Sequence, residues 1–171
     1  MIMRSTRFIL LSAVVFAMPG WAATPGEIEV GAALRDVPMA GFAGEISTFS
    51  EFRGKPLVIN VWASWCGPCR AEMGSLERLS QRYGGKQFNV IGISTDDDAV
   101  AAAAFLKKSG ISFVNFLDRA VVLENMLGAN TIPLTVLVDA NGRVLKKLRG
   151  FHEWDGPEAL RLIGEAFHLK M

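Results

Sequence analysis

The sequence predicts an α/β domain, with a central mixed β-sheet, helices on both of its faces, and a short β-hairpin ahead of it. Three observations carry this. Two continuous apolar runs rich in β-branched residues, at 57–62 and 88–94, read as strands covered on both sides. Helical segments alternate with these strands. The chain then closes with a hairpin, signalled by Asn141-Gly142, and a last helix.

Taken in order, residues 24–35 carry Pro25, Gly26 and Gly31 with few large apolar side chains, and are expected to drape as a linker over a domain spanning 36–171. Phe42 and residues 46–49, separated by Ala43-Gly44, predict the first hairpin. The turn Arg53-Gly54-Lys55-Pro56 delivers the chain into the first buried strand. A helix follows from about Cys66 to Tyr83, closed by Gly84-Gly85. After the second buried strand, Thr95 or Asp96 is placed to cap the next helix, with Asp97 and Asp98 in its first turn. Lys107 and Lys108 suit its last turn and Gly110 its end. Residues 111–117 read as a strand and 120–127 as a short helix. Residues 134–138 and 144–148 form the closing hairpin. A helix starting between Asp155 and Pro157 puts Leu160, Ile163 and Phe167 on one face.

Composition narrows the function classes. Half of the 171 residues are hydrophobic, which excludes a disordered chain, and 18 basic against 17 acidic residues give no electrostatic reason to expect nucleic acid. Arg4 and Arg7, an uncharged run over 8–18, Pro19-Gly20, and the small residues Ala22 and Ala23 predict an export signal over 1–23. The apolar run is short of the roughly 20 residues that span a bilayer, so an uncleaved anchor is the lesser alternative. Losing Arg4 and Arg7 would change the net charge from +1 to −1. Export to the periplasm would put the two cysteines in an oxidising compartment, where they pair unless reduced.

Trp65-Cys66-Gly67-Pro68-Cys69 sits where a buried strand turns into a helix. Unpaired N–H groups and the positive end of the helix dipole stabilise a thiolate at Cys66. Pro68 is tolerated because its missing N–H had no intrahelical partner. Cys66 is thus the expected attacking thiolate, and Cys69, one turn on and more enclosed, the resolving thiol. A purely structural bridge is the bland alternative, but so short a loop gains only about 2 kcal/mol of chain entropy. A zinc site is the other; no second C-x-x-C exists, and His152 and His168 are distant.

The segment 62–69, Trp-Ala-Ser-Trp-Cys-Gly-Pro-Cys, resembles a thioredoxin-fold active site. Together with Arg53-Gly-Lys-Pro56, Asn60-Val-Trp62, Arg70-Ala-Glu-Met73, Thr131-Ile-Pro133 and 134–142, it resembles the exported thiol–disulfide oxidoreductases of the TlpA/ResA/DsbE group, over about 36–167. The resemblance implies a thioredoxin fold with Pro133 as a cis-proline facing the cysteines. Ile132-Pro133 on its own leaves cis and trans open. It further implies that Trp65, Gly67, Pro68 and Ile132 meet the substrate, with Ile132 offering its backbone beside Cys66. Glu72 heads a helical stripe with Leu76, Leu79 and Tyr83, so its carboxyl faces either the core or, by snorkelling, solvent. The group carries a Glu here, which implies a role in handling the proton of Cys69. Asn60 stands where cytoplasmic thioredoxins place a buried Asp, and it cannot titrate.

The remaining features have plainer explanations. Asp96-Asp97-Asp98 lacks calcium-loop spacing. Lys146, Lys147 and Arg149 suit a solvated strand edge, and His152 and His168 suit the surface. The expected function is reduction of protein disulfides by a periplasmic monomer without metal or cofactor. The Gly-Pro spacer is that of thioredoxin, a reductant at about −270 mV. The resemblance implies a membrane thiol donor of the DsbD/CcdA type, and acceptors in cytochrome c biogenesis or at copper-site cysteines. A peroxiredoxin-type peroxidase would need a Thr where Ala63 stands. A non-catalytic copper- or thiol-binding module would bind Cu(I) tightly without reducing disulfides.

Overall fold

The computed structural model describes residues 25–171; the expected signal at 1–23 lies outside them. Seven strands form one mixed sheet: β1 (Met39–Gly41), β2 (Ile46–Ser47), β3 (Leu57–Trp62), β4 (Asn89–Ser94), β5 (Val114–Leu117), β6 (Leu134–Val138) and β7 (Val144–Arg149), in the order β2-β1-β5-β4-β3-β6-β7. β3, β4 and β5 run parallel, and every other pairing is antiparallel. Four helices accompany it: α1 (Gly67–Tyr83), α2 (Ala99–Lys108), α3 (Val122–Leu127) and α4 (Pro157–Phe167). None of the helices among the described residues is long and apolar enough to cross a membrane.

β3 explains why the sequence has no polar–apolar alternation there. Its odd positions, Leu57, Ile59 and Val61, join one core with Leu123, Met126 and Leu127 of α3. Its even positions, Val58 and Trp62, join a second core with Leu76 and Leu79 of α1 and Ile163 and Phe167 of α4. A strand sandwiched this way needs apolar side chains on both faces. Leu76 and Leu79 are fully buried, each contributing about 1.5–3 kcal/mol by leaving water. The segment before β1 lies over the first core, where Ile28 and Leu34 are buried, tied by Ile28 N–H to Met126 O and Leu34 N–H to Gly142 O.

Element types follow the sequence, but several bounds move. Phe42 falls in the turn of the first hairpin, not in a strand, and Phe49 opens a 3₁₀ turn (Phe49–Phe52) whose Thr48 and Glu51 form a capping box. β5 starts at Val114 and α3 at Val122. The cap of α2 is Asp98, whose carboxylate accepts from Val100 N–H and Ala101 N–H, so neither Thr95 nor Asp96 caps it. Lys147 is not simply solvated: it pairs with Glu27 at 2.6 Å with both side chains largely covered. His152 is half-buried, its ring tilted on Trp154 at 5.0 Å between centroids.

A row of small and polar residues crosses the sheet in register on the α1 side: Thr135, Asn60, Gly92 and Asn115. Trp62 Nε1–H donates to Asn115 Oδ1 at 2.9 Å, and Asn115 Nδ2–H donates to Phe113 O. Gly92 makes room for this, because a Cβ there would lie 1.9 Å from Asn115 Oδ1 and 3.0 Å from Trp62 Nε1. Gly92→Ala is therefore expected to displace Asn115, leave the buried indole N–H unpaired, and cost about 2–4 kcal/mol, measured by urea unfolding of the oxidised protein. A cost under about 0.5 kcal/mol would show that the row yields easily.

Candidate active site

The site forms where β3 ends. From Trp62 the chain passes through Ala63-Ser64-Trp65 into the first turn of α1, and Cys66 is its N-cap. Cys69 N–H donates to Cys66 Sγ at 3.2 Å, so one of the helix's orphan amides meets the sulfur. Cys66 and Cys69 form a disulfide with Cα atoms 5.3 Å apart. Cys66 is 6 % exposed and Cys69 0 %, which makes Cys66 the sulfur nearer solvent.

The turn is clamped by a residue the sequence reading assigned to helix capping. Asp96 is buried in the loop after β4, and both of its carboxylate oxygens accept from Ser64 N–H, at 3.1 and 2.9 Å. Ser64 Oγ–H and Ser94 Oγ–H complete the set at 2.5 and 2.8 Å. Charge-assisted bonds of this kind are among the stronger ones, and they fix the backbone two residues before Cys66. No local signal in the sequence pairs Ser64 with a residue 32 positions away.

The other wall comes from the start of β6. The Ile132-Pro133 peptide is cis, and the carbonyl oxygen of Ile132 lies 3.9 Å from Cys66 Sγ. Pro133 is buried, and its carbonyl accepts from Gly150 N–H. Trp65 projects into solvent at 70 % exposure, and Gly67 and Pro68 are exposed around the disulfide. All of the expected site residues thus gather at one end of the sheet except Glu72, which sits beneath.

Glu72 faces the core and does not snorkel. Its Oε1 accepts from Asn60 Nδ2–H at 2.7 Å and its Oε2 from His152 N–H at 3.0 Å. Asn60 Nδ2–H also reaches Thr135 Oγ1 at 3.1 Å, while Asn60 Oδ1 is buried without a partner. Trp154 approaches the same carboxyl, although its Nε1–H completes no hydrogen bond. Burial pushes the Glu72 carboxyl above the ordinary glutamate value, outweighing the donors from His152 and Asn60. The segment around His152 is fastened along α1 at one further turn and then another. Trp154 N–H donates to Ser75 Oγ at 3.0 Å, and Arg78 bonds Asp155 and Glu153.

Chemically, this is a pair of sulfurs that can interconvert as disulfide and dithiol, one nearer solvent and amide-facing, the other fully enclosed, with a buried carboxyl one helical turn beyond. A groove of about 460 Å³ lies along Phe151, Trp154 and Leu162. A smaller recess of about 160 Å³ adjoins Trp65 and Ile132. The smaller one is the one at the disulfide.

Comparison with known proteins agrees with this geometry. The model of the Redoxin family matches residues 30–163. The chain is 26 % identical over 143 residues to the thiol-disulfide oxidoreductase ResA of Bacillus thuringiensis subsp. konkukian, covering 83 % of each chain. It is 27 % identical over 123 residues to ResA of Geobacillus thermodenitrificans, covering 72 % of this chain and 71 % of that one. Among solved structures, a Chlorobium tepidum protein described as a thiol:disulfide interchange protein DsbE superposes with a TM-score of 0.75 at 27 % identity, over 82 % of this chain and 99 % of that one. A thiol-disulfide oxidoreductase from Bacteroides fragilis gives 0.67 at 25 %, over 77 % and 99 %.

The buried carboxyl sets a pH dependence of stability. With its folded value raised above 4.5, Glu72 holds a proton that the unfolded chain releases. Its contribution is complete below 4.5 and is lost as pH rises from there through the raised value. Glu72→Gln is expected to flatten this decline, followed as the denaturant midpoint of the oxidised protein from about pH 4 to pH 8. Parallel profiles for the two proteins would remove the assignment.

Proposed function

The chain belongs to the Redoxin family, and on that premise we propose that this thiol–disulfide oxidoreductase of the ResA/DsbE kind is exported and reduces protein disulfides. The observation that carries the reading is the amide-facing sulfur of Cys66 at the cap of α1, paired with the enclosed sulfur of Cys69. Ionised Cys66 attacks one sulfur of the substrate disulfide, forming a mixed disulfide and releasing the first substrate thiolate. Cys69 then attacks Cys66 Sγ, forming the internal disulfide and expelling the second. Two electrons pass to the substrate, and the two protons of the enzyme dithiol end on its two thiols.

In this scheme the Ile132 carbonyl and Pro133 hold the substrate's extended backbone beside Cys66, with Trp65, Gly67 and Pro68 around it. Glu72 takes the proton of Cys69 as that thiol becomes the nucleophile; a carboxyl raised by burial suits proton exchange nearer neutral pH. The oxidised enzyme is returned to the dithiol by a membrane thiol donor of the DsbD/CcdA type, and its acceptors are haem-attachment cysteines of apocytochrome c or copper-site cysteines. The export signal at 1–23 puts the reaction in the periplasm. Ala63 at the position where a peroxidase needs Thr speaks against peroxide as the substrate.

Two measurements test the reading. Cys69→Ser should accumulate a mixed disulfide through Cys66, identified by its mass, and Cys66→Ser should accumulate none. In the pre-reduced protein Cys66 should alkylate with a midpoint well below the ordinary thiol value of about 8.5. Absence of any trapped species, with both sulfurs as sluggish as free cysteine, would overturn it. For the proton, Glu72→Gln should displace the acid limb of the pH–rate profile, and superimposable profiles would remove that role.

A further inference from the structure

The recess beside the disulfide is lined by Trp65, Thr95, Glu124, Ala129, Asn130 and Ile132. We propose that it is a subsite for a cationic side chain, lysine or arginine, lying one or two residues from the reducible cysteine of a polypeptide substrate, and that Glu124 selects for it. The inference rests on the oxidoreductase reading and adds a substrate class to it.

Position comes first. Ile132 borders the recess and also places its carbonyl 3.9 Å from Cys66 Sγ, while Trp65 directly precedes Cys66. An extended peptide advances about 3.3–3.6 Å per residue, so a neighbour of the attacked cysteine reaches the recess while the cysteine meets Cys66.

Charge comes second. Glu124 is half-buried, and no ion pair engages its carboxylate among the described residues. Asp118, whose own carboxylate accepts from Val122 N–H and Glu124 N–H, adds a second negative charge nearby. Burial, and after it Asp118, push the Glu124 carboxyl up. Arg149 donates to Asn130 Oδ1 at 3.1 Å on the wall of the recess and lies 4.0 Å from Glu27, and it forms no ion pair with Glu124. An incoming ammonium or guanidinium supplies the missing counter-charge. The exposed indole of Trp65 gives an aromatic face for the same group.

The test uses the full chain, pre-reduced, in single turnover with synthetic peptides. Each carries a Cys-Ser-Ser-Cys disulfide preceded by Lys, Ala or Glu. At low salt the Lys peptide is expected to react about fivefold faster than the Glu peptide, a margin that shrinks as salt is added. The ratio should fall to about one in Glu124→Gln and invert in Glu124→Lys. A ratio near one in the parent, or one unchanged in both variants, overturns the subsite. If no peptide is reduced, the oxidoreductase reading itself falls. The subsite is then decided by the Trp65 indole NMR signal with cysteine-free Lys and Glu peptides: a preferential shift by the Lys peptide sustains it, and equal shifts overturn it.

Discussion

Everything at this site depends on one backbone event, the change from strand to helix between Trp62 and Gly67. The first turn of any helix has N–H groups with no partner inside the helix, and here one of them converges on a sulfur. For that to matter chemically, the turn must be held still. Two-sided burial of β3 fixes where the chain leaves the sheet, and Asp96 fixes Ser64 in the middle of the turn. An aspartate that reads as a helix cap is instead the staple of the active-site loop.

Beneath the turn the domain accepts a cost. Glu72, Asn60, Thr135 and Asn115 are buried polar groups beside the apolar core on the α1 side. Buried polar groups are tolerable when hydrogen-bonded, and most of these are. Asn60 spans both sides of the problem. It lies in the sheet's polar row, and it reaches up to the one carboxyl beneath the cysteines. Since an amide cannot titrate, the proton traffic stays with Glu72.

Much of this was legible from the residues. The apolar runs at β3, β4 and β6, the cap position of Cys66 and the Asn141-Gly142 turn depend on local chemistry, and the structure keeps them with shifts of a residue or so. The core-facing stripe of Glu72, Leu76, Leu79 and Tyr83 was visible as helical spacing. The first hairpin was less legible, because Phe42 and Phe49 carry β-propensity but are claimed by a turn and a 3₁₀ segment. Asp96, Gly92 and Asn115 were illegible in role. Their partners lie up to 53 residues away, and only the strand order brings them together. His152 was misjudged for a similar reason: what matters is its backbone N–H, and a residue type says nothing about that.

The attachments at Glu72, Ser75 and Arg78 recur every three residues along one side of α1. They act as a hem, sewing residues 152–155 to the helix that begins at the cysteines. Phe151, exposed just ahead of the first stitch, is carried on the same piece. A tilt of that helix during the thiol cycle would therefore swing the Phe151 ring and the sulfurs as a single body.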